Sequence, residues 1–404
     1  MRRTVLVAGA SIAGPALAHW LHRYGFAVTV VERAPALRPG GQAVDLRGVA
    51  KEAVRRMGLL EAVRAACTDT RGMSVVDERN RPLVELRADM FDGDGFIAEY
   101  EILRGDLAEV LYRATEPHVE YLFGQRITGL DQDDSGVAVT LSSGARRRFD
   151  LVVGADGLHS GLRALVFGPE SARLRDLGHL LAFFTVPNRL RLSSWMHTYA
   201  EPHRSAAIRS IHHDSEAMAL LAVRGTRADY DPRDSDGQRE LLRSRLAGMG
   251  WEVPDLLDRM DTATDFYFDS CSQVHLDRWS DGRVVLLGDA AFCASPISGQ
   301  GTSLAVLGAY LLAGELAGAG GDHAAAFAAY ESRMRPIVGI TQSFARDNAR
   351  HFAARNRLGL RVQRTAMRLA GRRPLTTLIA RRMEKVVNGV ELPDYRHLLV
   401  GAAG

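Results

Sequence analysis

The feature that most narrows the possible folds is the apolar run from Thr4 to Ala8 followed by Gly9-Ala10-Ser11-Ile12-Ala13-Gly14. A short run with no polar interruption, ending in glycine, is the pattern of a strand buried on both faces of a parallel sheet. Leu17, Trp20 and Leu21 then recur at helical spacing, Gly25 supplies a helix stop, and Val28 to Val31 is a second apolar strand ending in Glu32. Gly9 permits the tight turn from strand to helix, and Gly14 lets the helix approach the sheet. The position between them must be small, because backbone there approaches a pyrophosphate at the helix N-terminus, and Ser11 meets that requirement. Glu32, 18 residues after Gly14, stands where a carboxylate accepts hydrogen bonds from a ribose diol. A glutamate there, with no arginine taking over its role, points to a free 2′-hydroxyl and so to FAD or NAD.

Two later segments repeat the theme of an apolar strand, a glycine and an aspartate. The first is Asp150-Leu151-Val152-Val153-Gly154-Ala155-Asp156-Gly157, followed by Ser160 and Arg163. The second is Leu286-Leu287-Gly288-Asp289-Ala290-Ala291-Phe292, followed by Pro296, Gly299, Gly301 and a helix beginning near Thr302. A carboxylate at such a strand end can hold sugar or ribityl hydroxyls. The Gly299-Gln300-Gly301-Thr302 turn would aim backbone N–H groups at an electron-rich ring edge.

The three motifs in this order resemble the class A flavoprotein aromatic hydroxylases, the family of p-hydroxybenzoate hydroxylase. The length and style resemble its short single-component members, such as the tetracycline-inactivating monooxygenases. The resemblance covers residues 1 to about 335. It implies a Rossmann-type FAD-binding α/β domain, a second, sheet-based substrate domain and a long C-terminal bridging helix. By the same resemblance, Gly9, Ser11 and Gly14 would surround the FAD pyrophosphate. Glu32 would hold the adenosine ribose with Arg33 beside it, and Arg104, at the start of a helix, would contact the flavin side. Arg38 and Asp45 lie in a loop resembling the flavin-contacting loop of the short members. Asp156 belongs to a motif linked to FAD and NADPH handling, Asp289 would bind the ribityl or pyrophosphate region, and Pro296, Gly299, Gly301 and Thr302 would line the isoalloxazine. Phe292 and Ser303 stand where the family usually has histidine and asparagine. The implied reaction uses NADPH or NADH as a transient donor and O2, through a flavin hydroperoxide, to oxygenate an aromatic or polyketide-like small molecule. No second glycine fingerprint encodes a separate nicotinamide domain. No side chain is singled out as a catalytic base.

The totals agree with this class. A length of 404 residues suggests two or three domains, and 46% hydrophobic with 25% charged residues is an ordinary globular balance. The net charge of +3 reflects arginines nearly matched by acids, with lysine only at Lys51 and Lys385, so no nucleic-acid surface is indicated. The arginines from Arg372 to Arg382 read as a solvated helix face. Cys67, Cys271 and Cys293 are too few and too scattered for a disulfide framework. With no long uninterrupted apolar stretch and no signal-peptide pattern, the expectation is a cytoplasmic protein, monomeric or dimeric, without a membrane span.

Along the chain, residues 1–72, 100–178 and 277–330 read as a discontinuous FAD-binding domain. Residues 73–99 and 179–276 read as the substrate domain, and 331–404 as a C-terminal helical segment. Val119 to Leu122 reads as the start of an antiparallel meander, and Asp106 as a helix cap. Alternation puts Phe266 and Phe268 on one face of a strand and Tyr267 on the other. Phe184, His197, Tyr199 and Met218 are further candidates for the substrate surface, though each reads first as packing. His212 and His213, as neighbours on a strand, would face apart and hold no metal, and no metal-ligand spacing occurs elsewhere. Cys293 reads as a small buried thiol, and the acids from Asp94 to Glu101 as a solvated loop. The tryptophans Trp20, Trp195, Trp251 and Trp279 lack the spacing of the flavin-dependent halogenase signature. A flavin dehydrogenase or reductase, and a non-catalytic FAD-binding module, are the alternatives.

Overall fold

The computed structural model describes residues 2–88, 100–169, 173–352, 354–370 and 392–400. The strand–helix–strand unit consists of β1 (Thr4–Ala8), α1 (Ala13–Arg23) and β2 (Ala27–Glu32). β1 pairs in parallel with β2 on one edge and with the strand Leu151–Gly154 on the other. With neighbours on both sides and helices over the sheet, Val5, Leu6 and Val7 have no exposed surface, which is why the run carries no polar residue. The strand Val284–Leu286 follows beside Leu151–Gly154, with Ser280–Asp281 antiparallel at that edge. Ala8 stands level with Gly154, and Gly154 with Leu286. The register therefore brings the three glycine-rich motifs to one edge of one sheet, at the carboxyl ends of its strands, where open α/β sheets bind ligands.

Two glycines make this edge possible. Gly9 has φ +107°, and a Cβ on it would lie 2.3 Å from the Ala155 carbonyl oxygen. A Cβ on Gly14 would lie 1.9 Å from the carbonyl oxygen of Gly9.

A seven-stranded sheet runs in the order Tyr267–Val274, Leu174–Pro187, Glu216–Arg224, Arg204–Ile211, Trp195–Glu201, Gly72–Val76, Pro82–Arg87. Its period-two alternation divides its side chains between two cores. Leu180, Ala182 and Phe184 pack beneath the helices Ser235–Leu246 and Val253–Met260. Leu181, Phe183 and Met218 face the opposite way, in a cluster with Leu103 and Ile211.

Several expectations are corrected. Glu120–Phe123 extends the parallel sheet beside β2, and the antiparallel meander comprises Ile127–Asp133, Gly136–Leu141 and Arg146–Phe149. A four-residue run has too few periods to reveal its partner. The helix after Leu103 spans Arg104–Arg113, so Asp106 lies in its first turn, where its charge suits the helix dipole, and does not cap it. His212 and His213 have φ 49° and 53° and form a turn beyond the strand end at Ile211. His212 Nδ1 pairs with Glu216 and His213 Nδ1 with Asp69. Glu101 is buried rather than solvated, while Asp94 and the arginines Arg372 to Arg382 lie outside the described residues.

Helix Gly301–Gly318 is long and apolar enough to cross a bilayer, but 78% of it is buried inside the protein. It is a core helix, with Leu304, Val306, Leu311 and Leu312 in the main cluster. The 30-residue helix His323–Phe352 packs on it and reaches the strand Leu174–Pro187 of the second sheet, so position 331 falls within this helix and marks no break.

Candidate active site

A cavity of about 740 Å³ opens at the motif-bearing edge and continues to the seven-stranded sheet. Gly9, Ser11, Glu32, Arg33, Arg38, Asp45, Arg104, Asp156, Asp289, Pro296, Gly299, Gly301 and Thr302 all line it. Gly14 does not: it lies behind the turn, against Gly9 and Val7, and shapes the site by letting the helix close on the strand.

At one end, the Glu32 carboxylate accepts hydrogen bonds from the Ala10 and Ala34 amides, each at 2.9 Å. These fix its orientation at the tip of β2, beside Arg33, Gln125 and Arg126. Arg104 donates from Nη1 to the Ser11 hydroxyl at 3.1 Å and from Nη2 to the Arg38 carbonyl. Its guanidinium thus stands over the turn at the N-terminus of α1. Burial and the nearby Arg38 both push its pKa down; its bonds to Ser11 and Arg38 end on neutral oxygens, an arrangement that favours an anion. Gly105 is required here, since its Cβ would meet the Gly40 amide nitrogen at 2.6 Å.

Asp156 accepts from the Ser160 hydroxyl at 2.5 Å and from the Leu162 amide at 3.1 Å, at the start of helix Gly161–Phe167. Arg163, the last residue of that motif, has no exposed surface and donates to the carbonyls of Ala290 and Leu158. It ties the second motif to the third and does not face the cavity. Burial raises the pKa of Asp289, while the Cys293 thiol at its side acts in the opposite direction. Gly299 adopts φ +63° at the turn before helix Gly301–Gly318. Asp45 accepts both Nε and Nη2 of Arg47, at 3.1 and 2.8 Å.

The two departures from the family pattern have local explanations. Ser303 accepts from the Arg47 amide at 3.3 Å and donates to the Asp45 carbonyl at 3.2 Å, tying to the helix the end of the short strand Ala43–Asp45, where a loop was expected at Asp45. Phe292 is buried against Trp279, with ring centroids 4.8 Å apart.

Beyond Asp45 the cavity changes character. Leu181, Phe183, Met196, Ala207, Met218, Leu220, Ile297 and Phe352 form an apolar wall. Of the sequence candidates for this surface, Met218 and Tyr267 line it. Phe184 and Phe268 belong to the core on the far side of the sheet, His197 bonds to Asn80, and Tyr199 donates to Glu201.

Sequence reasoning missed two polar groups in this wall. Arg209 and Glu101 form an ion pair with side chains 11% and 10% exposed, and Thr68 donates to Glu101 at 2.7 Å. Burial pushes Glu101 up, but the charge and hydrogen bonds of Arg209 outweigh it and hold the carboxyl below its usual range. The second group is Asp269, which binds His159, Tyr230 and Tyr267. Asp269 was legible in part, since it lies two residues after Tyr267 and so shares its face. Among the described residues no cluster of three or more metal-ligating side chains occurs.

The cavity fits FAD in its chemistry. It offers a helix N-terminus cleared by glycine, a fixed carboxylate for a ribose, guanidiniums that suit phosphates, and two aspartates at strand ends.

Comparison with known proteins agrees. The model of the FAD binding domain family matches residues 2–344. The uncharacterized protein Rv1260 of Mycobacterium tuberculosis (strain ATCC 25618 / H37Rv) is 48% identical over 347 residues, 86% of this chain and 93% of its own length. A flavin-dependent monooxygenase of Legionella longbeachae is 36% identical over 396 residues, covering 97% of this chain and 98% of that protein. The crystal structure of tetracycline destructase Tet(51) superposes with a TM-score of 0.85 at 34% identity, covering 98% of this chain and 99% of that one. The chain belongs to the FAD-dependent monooxygenases of class A, built on the FAD-binding-domain fold.

Proposed function

We propose that this monooxygenase takes electrons from NADPH or NADH and places one atom of O2 on an aromatic or polyketide-like small molecule held against the apolar wall. The observation that carries this reading is the continuity of one cavity, from the three motif-bearing strand ends to Leu181, Phe183 and Met218. FAD, when bound, supplies the redox chemistry and oxygen activation. The residues of the chain supply binding, orientation and exclusion of water.

In this reading Gly9 and Ser11 admit the pyrophosphate, with Arg104 above it and Arg33 and Arg38 at the rim. Glu32 takes the ribose hydroxyls, and Asp156 and Asp289 the ribityl region. Asp45, Pro296, Gly299, Gly301 and Thr302 border the ring system. The apolar wall keeps water from the reacting centre and orients a flat substrate, while Arg209 and Glu101 offer polar contacts at its edge. We further propose that the two sheets mark a cofactor domain and a substrate domain, bridged by helix His323–Phe352.

The test uses purified, FAD-loaded protein supplied with NADPH or NADH under ¹⁸O2, with tetracycline and a panel of polycyclic phenols. The expected result is substrate-stimulated nucleotide oxidation and a product carrying one ¹⁸O. Nucleotide oxidation with a reduced product that carries no ¹⁸O would support a reductase instead. Tetracycline belongs in the panel because the Tet(51) neighbour is a tetracycline destructase.

A further inference from the structure

The helix Arg357–Ala370 presents three faces, only one of which is buried. On that face Leu360 is buried, and Met367 packs against Val75, Val84 and Leu86 of the seven-stranded sheet. This is the side of the sheet that carries the apolar wall. Met196, which lines the cavity, stands level with Met73, and Met73 packs in the same cluster as Met367. Arg368 holds the helix down by donating to the Leu83 carbonyl at 2.8 Å. Just ahead of the helix, the His203 amide donates to the Ala354 carbonyl at 2.9 Å. Phe352, a residue of the apolar wall, lies a short way upstream.

At about 100° per residue, Leu358, Val362 and Leu369 project together, away from Leu360 and Met367. They are 69%, 61% and 43% exposed. A surface helix ordinarily turns its leucines and valines inward, so this second apolar stripe, open to water, needs a partner. Beside it run Arg357, Arg361, Arg364 and Arg368, every three or four residues, and the helix carries no acid. The same bias extends past the helix ends: from Arg350 to Arg382 the sequence contains no aspartate or glutamate. In a chain with 51 basic and 48 acidic residues, this gathers positive charge around one exposed apolar stripe.

We propose that this helix docks on an anionic lipid surface, with Leu358, Val362 and Leu369 in the boundary between headgroups and acyl chains and the arginines against the anionic headgroups. Each signal is weak alone, since a small apolar contact is reversible and exposed charge is screened by salt; stable attachment takes both. A nucleic acid would satisfy the arginines and leave the apolar stripe in water, whereas a bilayer matches both. The contact lies on the membrane and spans nothing. It brings the Phe352 end of the cavity close to the lipid, where apolar small molecules collect, and it does not depend on which substrate the cavity takes.

The test mixes the whole, FAD-loaded chain with sedimentable vesicles, one set of phosphatidylcholine alone and one of equal parts phosphatidylcholine and phosphatidylglycerol. Binding to the mixed vesicles is expected to be at least about tenfold stronger, and to fall as salt rises. Arg357→Glu with Arg361→Glu should abolish that preference; Arg364 and Arg368 are left in place because they bond carbonyls of the sheet. Leu358→Ser with Val362→Ser should weaken binding to the mixed vesicles about tenfold. It should leave the flavin absorbance and the thermal midpoint unchanged, since both side chains already stand in water. Absence of sedimentation with either vesicle, or equal binding to both, would overturn the proposal. So would full binding by the serine variant, which would assign the contact to charge alone. A fall in that variant's thermal midpoint would overturn it too, by showing the stripe packed against the chain itself.

Discussion

At Gly14 a side chain has nowhere to go. Its Cβ would meet the Gly9 carbonyl oxygen at 1.9 Å, and both groups are backbone, so neither can rotate away. Gly14→Ala is expected to cost about 3 kcal/mol or more, the range of severe backbone and packing defects. A fall in the thermal midpoint and poor flavin retention would show it. Asp289 is different: it faces the cavity and supports no element interior. Asp289→Ala should leave the circular dichroism spectrum unchanged and weaken FAD retention at least tenfold, the order of a lost charge-assisted bond. His19 gives a pH signature. Burial, then Arg23 and His22, lower its pKa from 6.5 to about 4. Between those values the unfolded chain binds a proton that the folded chain refuses, so stability falls as pH drops from 6.5 to 4. Thermal midpoints across this window should decline less steeply in His19→Gln than in wild type.

The elements carrying the cofactor motifs were legible because each was a buried strand, and burial on both faces leaves an unmistakable run of Val, Leu and Ala. The turns after them were legible for a related reason, since only glycine fits where backbone meets backbone. Glu120–Phe123 was not, because at a sheet edge a four-residue run fits either a parallel or an antiparallel partner. His212 and His213 were misplaced because composition does not reveal where a strand bends into positive φ. Arg163 was noticed as part of a motif, yet its role is visible only in the fold. It bonds the Ala290 carbonyl 127 residues away and holds two motif loops in register. Arg163→Met should destabilise the protein by about 2–4 kcal/mol, as carbonyls lose charged donors in a dry site. The chemical-denaturation midpoint measures this, and added FAD should recover part of the loss by mass action.

Across the molecule, the cofactor end and the apolar wall belong to different sheets, with side chains from each lining one cavity. That the motif residues meet at one cavity was readable because they sit within short motifs. The wall was not, since its decisive partners are far apart in sequence: Glu101 and Arg209 by 108 positions, His159 and Asp269 by 110. Alternation told which face Tyr267 and Phe268 take, but not what stands opposite them. The cavity at the three strand ends is proposed to hold FAD. The most direct test is the visible spectrum of the purified protein, with the released flavin quantified. The claim predicts oxidised-flavin absorbance near roughly 450 nm and one FAD per chain, lost in Asp289→Ala. A colourless protein that cannot be reconstituted with FAD, or an Asp289→Ala variant that stays fully yellow, would contradict it.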